Sequence, residues 1–513
     1  MSLQKQVTRA AGVIGFATII TRTLGFLRDM VIALKFGAGL EADAYFVAFR
    51  IPSMLRRLVG EGALTAAFIP VFVEERQQSP ERAWQLANTV ITLLCIILAL
   101  ITFLGMVFTP YIVKIIAPGF DKVPEKFALT TTLTRITFPY IFFISLAALA
   151  MGILNSLQHF FSSALAPMML NISLISCALF LSPHLETPVT GLAIGVLIGG
   201  ITQLLFQIPA LRKREFRYRI SVDWKNPAVQ KVGLLLLPAF FGLAVNQISV
   251  FANTLLASYL SEGSVSYLFY SYRLTEFPLG IFGMAISTAI LPTMSAQSAQ
   301  GDYGSLVETL SFALRLVLFI TIPSMVGLIV LRVPIVTLLF ERGYFTRQDT
   351  LATAQAVLYY TIGLSAIAGG RIIVPVFYSL KDTATPVKCA AASVGLNILF
   401  SLLLMGPLQH NGLALATTLS SFVNFFLLLW FLRKRLGQIG WRNIAVSAGK
   451  VAFAALLMGL CCIPLVNTAL PAAVVVLVDV IIGIAVFLIS TWLLKVEELF
   501  FLQKLIKQRL TRM

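Results

Sequence analysis

The sequence predicts an all-α polytopic membrane protein with 14 transmembrane helices, and three observations carry that reading. Of the 513 residues, 58% are hydrophobic and only 12% charged, about half the charged share of an ordinary soluble domain. Apolar runs of about 20 residues, each long enough for a hydrocarbon core roughly 30 Å thick, recur from end to end. Most basic residues outside the runs lie on alternate connections. They are densest in "LRKREFRYRISVDWKNPAVQK" (Leu211 to Lys231), "LRKRLGQIGWRN" and the terminal "KLIKQRLTRM".

Taken in order, spans are expected near 10–35, 40–73, 84–112, 127–156, 161–182, 188–210 and 232–260, then near 264–296, 305–331, 350–379, 387–406, 412–432, 445–466 and 470–494. The first has a basic start and an apolar run, as a signal peptide does. No small-residue cleavage site follows it, and the run leads straight into Arg22, so it reads as a retained span. With the N-terminus inside, the basic connections all become cytoplasmic, which places both termini in the cytoplasm. The net charge of +17 then reflects topology, and nucleic acid is not an expected partner. Cys95, Cys177, Cys389, Cys461 and Cys462 sit in apolar spans or at their ends with no ligand spacing, and read as small buried hydrophobes. His159, His184 and His410 are scattered, so neither a metal site nor His-based catalysis is expected. No GxxxxGK[ST] motif is present, which argues against ATP hydrolysis by that route.

The basic block at Leu211 to Lys231 divides the first twelve spans into two sets of six, and the sets resemble each other. "ALTAAFIP" (Ala63 to Pro70) aligns with "AISTAILP" (Ala285 to Pro292), 222 residues later. "FRI" (Phe49 to Ile51) aligns with "YRL" (Tyr272 to Leu274), and "NSLQ" (Asn155 to Gln158) with "YSLK" (Tyr378 to Lys381), each pair 223 apart. A near-constant offset argues for duplication. Six is an even number, so both halves enter the membrane in the same direction, giving a parallel repeat with a cavity between lobes and rocking as the route to alternating access. The expected organisation is an N-lobe (1–220), a C-lobe (221–440), and residues 441–513 holding spans 13 and 14 and a cytoplasmic tail.

Arginine inside the spans is the chemical signal. A charge at the bilayer centre costs roughly 2.5–3.5 kcal/mol on insertion scales. Yet spans 1, 2 and 8 carry Arg22, Arg28, Arg50, Arg56, Arg57 and Arg273. The acids set against them are fewer: Asp29, Asp43, Glu61 and Glu276. Spacing pairs Arg57 with Glu61 (i,i+4) and Arg273 with Glu276 (i,i+3). Arg50, Arg135, Arg315 and Arg371 lie where snorkelling to an interface suffices. Arg22, Arg28 and Arg56 have no evident local acid, and Gly25 allows the helix to bend so that Arg22 and Arg28 face one cavity. Structural neutralisation by acids on other helices is one reading of these three. The other is a water-filled cavity that binds an anion, for which the planar guanidinium suits bidentate recognition of phosphate. A pyrophosphate on a lipid fits the second, its tail trailing into the membrane and spans 13 and 14 supplying a groove for it.

The stretches "TRTLGFLRDMVIALKFGAG", "DAYFVAFRIPSMLRRLVGEGALTAAFIPVF", "FPYIFFISLAALAMGILNSLQHF", "LAPMMLNIS", "SYRLTEFPLGIFG" and "FYSLKDTATPVK" resemble the MurJ (MviN) family of lipid II flippases. That family belongs to the multidrug/oligosaccharidyl-lipid/polysaccharide exporter superfamily. The resemblance covers all 14 spans. It implies a transporter rather than an enzyme, carrying undecaprenyl-pyrophosphate-linked peptidoglycan precursor across the bacterial inner membrane. It further implies no cofactor, drive by membrane potential or an ion gradient, and membrane lipids and cell-wall synthesis proteins as neighbours. The family's cavity arginines fall on Arg22, Arg28, Arg56 and Arg273, with Thr21 and Ser266 beside them as substrate-binding positions. Asp29, Asp43, Glu61, Glu276 and Arg57 fall in the gating and charge-pairing set. The sodium site of some members uses carboxylates in spans 7, 11 and 12, and this sequence has none there. The rivals are a flippase for another lipid-linked glycan, such as an O-antigen unit, and a multidrug exporter, whose cationic cargo calls for carboxylates without surplus arginine. A membrane-embedded transferase needs an acid or His cluster that the sequence lacks.

Overall fold

The computed structural model describes residues 3–57, 62, 64–280 and 284–510. These form helices and, among the described residues, no strand. The chain divides into two compact units, Met1–Ser266 and Tyr267–Met513.

Unit 1 runs α1 (Leu3–Phe36), α2 (Leu40–Leu55), α3 (Leu64–Gln78), α4 (Pro80–Val107), α5 (Thr109–Ile116), α6 (Pro124–Thr137), α7 (Tyr140–Ser156), α8 (Phe160–Ser176), α9 (Thr190–Arg212) and α10 (Pro227–Ala257). Local chemistry sets the starts. Ser79 accepts from the amides of Glu81 and Arg82 ahead of Pro80, and Asn226 accepts from Ala228 ahead of Pro227. Both are N-caps followed by a proline whose missing N–H is not needed there. The core is apolar and aromatic, with Phe68 and Phe72 of α3, Leu86 of α4, Leu149 and Ile153 of α7 and Val232 of α10 in one buried cluster. That cluster explains why α10 belongs to unit 1, although the sequence repeat divides the chain before it.

Unit 2 contains α11 (Ser264–Pro278), which starts at the unit boundary, α12 (Met284–Ala299), α13 (Tyr303–Phe340), α14 (Arg347–Ile362), α15 (Leu364–Ser379), α16 (Ala384–Leu408), α17 (His410–Leu436), α18 (Trp441–Val466), α19 (Ala472–Leu493) and α20 (Glu497–Leu510). Its centre is α13, 38 residues long and therefore about 57 Å at 1.5 Å per residue. One stretch of α13 packs with α15 and α17 through Leu310, Leu314, Ile372, Val376 and Leu428. The next packs with α18 and α19 through Phe319, Ile322, Val451, Ala455 and Phe487. Arg315, expected to snorkel, instead reaches α20, where its guanidinium lies 2.6 Å from Glu497 and 3.2 Å from Glu498. A bidentate-capable group finding two carboxylates is better served than one left at an interface.

Each of the 14 expected segments coincides with one helix or two consecutive helices. Among the described residues nine helices are long and apolar enough to cross a membrane, or ten if α14 and α15, bent by 42°, make one span. The chain is a multi-pass membrane protein. The repeat is also visible in local backbone. π-helical turns occur at Arg56–Arg57 and again at Leu279–Gly280, and positive φ values occur at the ends of "NSLQ" and "YSLK", at Gln158 (57°) and Lys381 (59°). Both pairs are 223 residues apart. After Lys381, Asp382 accepts from the Thr385 amide (3.0 Å) and hydroxyl (2.8 Å) and from Arg435 (2.6 Å). The amide bond first, and then the hydroxyl and the guanidinium, hold its carboxyl below the usual range, so the cap stays charged at neutral pH.

Gly412, near the start of α17, permits a close backbone approach in unit 2. A Cβ there would stand 2.2 Å from the Leu404 carbonyl oxygen. Gly412→Ala is expected to destabilise by about 1–3 kcal/mol. Gly395→Ala, where a Cβ meets nothing within 4 Å, is expected to be neutral or slightly stabilising in its helix. Melting temperatures of the two purified variants check this. Equal losses would show that the Gly412 contact carries no constraint.

Candidate functional site

Two buried polar clusters organise unit 1, and both involve residues expected from the sequence. The first is on α1. Arg28 donates through Nε (2.9 Å) and Nη2 (2.6 Å) to Oδ1 of Asp29, and through Nη1 (3.1 Å) to Oδ1 of Asn171 on α8. Asn171 in turn donates to the Thr21 carbonyl (3.2 Å). Arg28 is 8% exposed and Asp29 fully buried. This corrects the expectation that Arg28 lacks a local acid. Adjacent helix positions do not normally face each other, but the long Arg stem folds back once Asn171 holds the far side of the guanidinium. Arg22 and Thr21, one turn and more before it, are half-buried, as is Arg56. Arg56 sits at the π turn that ends α2. Such turns redirect a side chain out of the regular helical register.

The second cluster is centred on Asp43. Its carboxylate accepts from Lys126 Nζ (2.7 Å), the Gly263 amide (2.9 Å), and the amide (2.9 Å) and hydroxyl (2.7 Å) of Ser266. Asp43 is 1% and Lys126 6% exposed. The amides lie at the start of α11, Gly263 just before it and Ser266 in its first turn, where the helix dipole favours an anion. The arrangement is reciprocal, because Glu262 Oε1, just before α11, accepts from the Leu40 amide that opens α2 (2.8 Å). Each helix thus caps the other, and Asp43 meets the residue 223 positions later. Ser266, expected to touch substrate, is fully buried and committed to Asp43 through both its groups.

The remaining expected residues fall elsewhere. Arg57 is exposed, and its expected partner Glu61 lies outside the described residues. In unit 2, Arg273 is half-buried. Glu276 accepts from the Tyr272 hydroxyl (3.1 Å) and lies 4.0 Å from Arg371. Arg371, expected to snorkel, points to the end of α11, where it also donates to the Leu279 carbonyl (3.5 Å). Arg135 is exposed and donates to the Met106 carbonyl (3.2 Å). Sequence reasoning missed Lys126 and Asn171. Lys126 did carry a signal, since a cation in the first turn of a helix opposes the dipole and needs an acid.

A helical membrane protein with Arg28 buried in its first helix, Asp43 and Glu262 holding helix ends, and no catalytic constellation among the described residues has a transporter-like fold. Comparison with known proteins places it more narrowly. The family described as "Lipid II flippase MurJ" matches residues 32–483. The "Probable lipid II flippase MurJ" of Vibrio cholerae is 38% identical over 436 residues, covering 83% of each chain. The "Lipid II flippase MurJ" of Burkholderia cenocepacia is 36% identical over 423 residues, covering 82% of each. Among solved structures, "Lipid II flippase MurJ, inward closed conformation" superposes with a TM-score of 0.81 at 30% identity, covering 96% of this chain and 99% of that one. An inward-facing MATE transporter of the MOP superfamily shares the fold at a TM-score of 0.68 and 15% identity, covering 82% and 95%. The chain belongs to the MurJ family.

Asp43→Asn leaves the Lys126 ammonium buried without its counter-charge and is expected to cost about 3–5 kcal/mol. Adding Lys126→Met is expected to recover most of that loss, measured as melting temperature and membrane level. A double variant as unstable as the single one would mean that the ion pair is not what Asp43 supplies.

Proposed function

We propose that the chain is a lipid II flippase, moving undecaprenyl-pyrophosphate-linked peptidoglycan precursor from the inner to the outer leaflet of the bacterial cytoplasmic membrane by alternating access. Family membership supports this substrate over another lipid-linked glycan. The observation that carries the mechanism is that Arg22 and Arg28 share one helix of unit 1, with Arg56 half-buried at the π turn that ends α2. A pyrophosphate offers such guanidinium groups planar, charged acceptors. Arg22 and Arg56 meet it first. Arg28, held between Asp29 and Asn171, exchanges one partner for a phosphate oxygen when the site is filled, which keeps the guanidinium satisfied in both states. Arg273 joins the substrate-binding set, with Thr21 supplying a hydroxyl beside Arg22. Asp43 and Glu276 make charged contacts that hold helix ends during the cycle, and Glu61 and Arg57 belong to the same gating set.

The coupling we propose is to membrane potential or an ion gradient, without a cofactor. The two six-span halves, 1–220 and 221–440, enter the membrane in the same direction, with spans 13 and 14 carrying the groove for the prenyl tail. Both termini are cytoplasmic, as the basic connections require. Cell-wall synthesis proteins are the protein partners this role implies.

Depletion in the native bacterium tests the substrate, since lipid II is expected to accumulate in the inner leaflet. Accumulation of a different lipid-linked glycan would overturn the assignment. The role of Arg28 is separable from its pairing with Asp29. If it only neutralises Asp29, then Arg28→Ala fails in complementation while the Arg28→Ala/Asp29→Ala double variant supports growth. Anion binding predicts that both fail at normal membrane levels. The loss of one charged hydrogen bond, about 1.5–3 kcal/mol, corresponds to roughly ten- to a hundredfold weaker binding.

A further inference from the structure

Unit 1 contains a second, different site. A cavity of about 760 Å³ opens between α4, α7 and α9, within the roughly 300–1,000 Å³ usual for small-ligand pockets. Its body is apolar, with Ile91, Leu146 and Ile208 on the three helices. Its mouth carries Arg212, Arg217 and Tyr218. Both arginines are exposed, and neither forms an ion pair among the described residues, although Glu215 lies between them in the chain.

The mouth is built rather than incidental. The chain leaving α9 is fastened along α4 by four hydrogen bonds. Asn88 Oδ1 accepts from the Arg219 amide (3.1 Å) and Thr92 Oγ1 from the Ser221 amide (3.3 Å). The Thr92 and Tyr218 hydroxyls stand 3.1 Å apart, and those of Thr89 and Ser221 2.8 Å. Asn88, Thr89 and Thr92 are 7%, 0% and 5% exposed, on a helix whose other face is lipid-like. Their polarity is accounted for by this fastening. Before it, Phe216 is buried and packs against Trp84 with ring centroids 5.3 Å apart. Arg217 is therefore held between two anchors, with its charge at the rim of an apolar hole.

We propose that this cavity binds an anionic phospholipid of the surrounding bilayer, its acyl chain between α4, α7 and α9 and its phosphate at Arg212 and Arg217. The argument is charge complementarity at the end of an apolar cavity: basic pockets between membrane helices select anionic head groups. The lining residues are on none of the helices that carry Arg22, Arg28 or Arg56. The occupant is accordingly a bilayer lipid rather than transported cargo, and the site does not depend on the flippase reading.

The test uses the full chain purified in detergent and a phosphatidylglycerol carrying a photoactivatable group on one acyl chain, with adducts mapped by mass spectrometry. Adducts are expected in the peptides holding 91–95, 146–153 and 204–211. Unlabelled phosphatidylglycerol should compete at a lower concentration than phosphatidylethanolamine of the same chains. Arg212→Gln/Arg217→Gln should raise the phosphatidylglycerol concentration needed by roughly ten- to thirtyfold, at about fivefold per charge near the surface. Arg212→Lys/Arg217→Lys should retain most of the preference, which separates charge from damage to the fold. Equal competition by the two lipids, or adducts spread over the lipid-facing helices, would overturn the proposal. So would displacement of the label by a polyprenyl pyrophosphate at concentrations where phosphatidylglycerol fails, since the cavity would then hold cargo.

Discussion

A carboxylate shut away from water must be satisfied by protein, and Asp43 is satisfied four times. Lys126, two amides of the α11 turn and the Ser266 hydroxyl all converge on it. The free energy at stake is large because each partner depends on the same oxygen pair. Without Asp43, an ammonium and two helix-end amides are all left buried and unmet. The same constraint shapes α1. Arg28 is tolerated there because Asp29 and Asn171 take up three of its donor contacts, which cancels most of the insertion penalty of an isolated charge.

These clusters differ in what they leave available. Asp43 is saturated, so its role is to hold α2, α6 and the start of α11 together. Arg28 is bonded through all three guanidinium nitrogens, while Arg22 and Arg56 are only half-buried. Positive charge is therefore uncompensated at Arg22, with which no acid forms a salt bridge among the described residues. A surplus of this kind is what an anionic cargo requires and a cationic one forbids.

Much of this was legible in the sequence, for identifiable reasons. Apolar length located the helices because the bilayer thickness leaves little choice. The repeat at Gln158 and Lys381 was readable because a turn with positive φ tolerates few sequences, so "NSLQ" and "YSLK" stayed alike. Intrahelical spacing did not foresee three of the charged contacts. Arg28 chose Asp29 at i+1, Arg371 moved toward Glu276 from another helix, and Arg315 found α20. Such long side chains reach wherever tertiary packing brings an acid, and i,i+3 or i,i+4 rules do not see that. Asn171 was missed for the same reason, being unremarkable until its partner is placed beside it.

The central claim is that the arginines of α1 and the α2 π turn recognise a diphosphate. The most direct measurement is the affinity of the purified protein for a short-chain polyprenyl pyrophosphate against the monophosphate of equal chain length. At physiological salt the account predicts that the pyrophosphate binds about tenfold or more tightly, as one further charge-assisted hydrogen bond allows. It also predicts that Arg22→Gln/Arg56→Gln removes most of that difference while leaving monophosphate binding less affected. Equal affinities for the two lipids, or a preference that survives the double substitution, would contradict it.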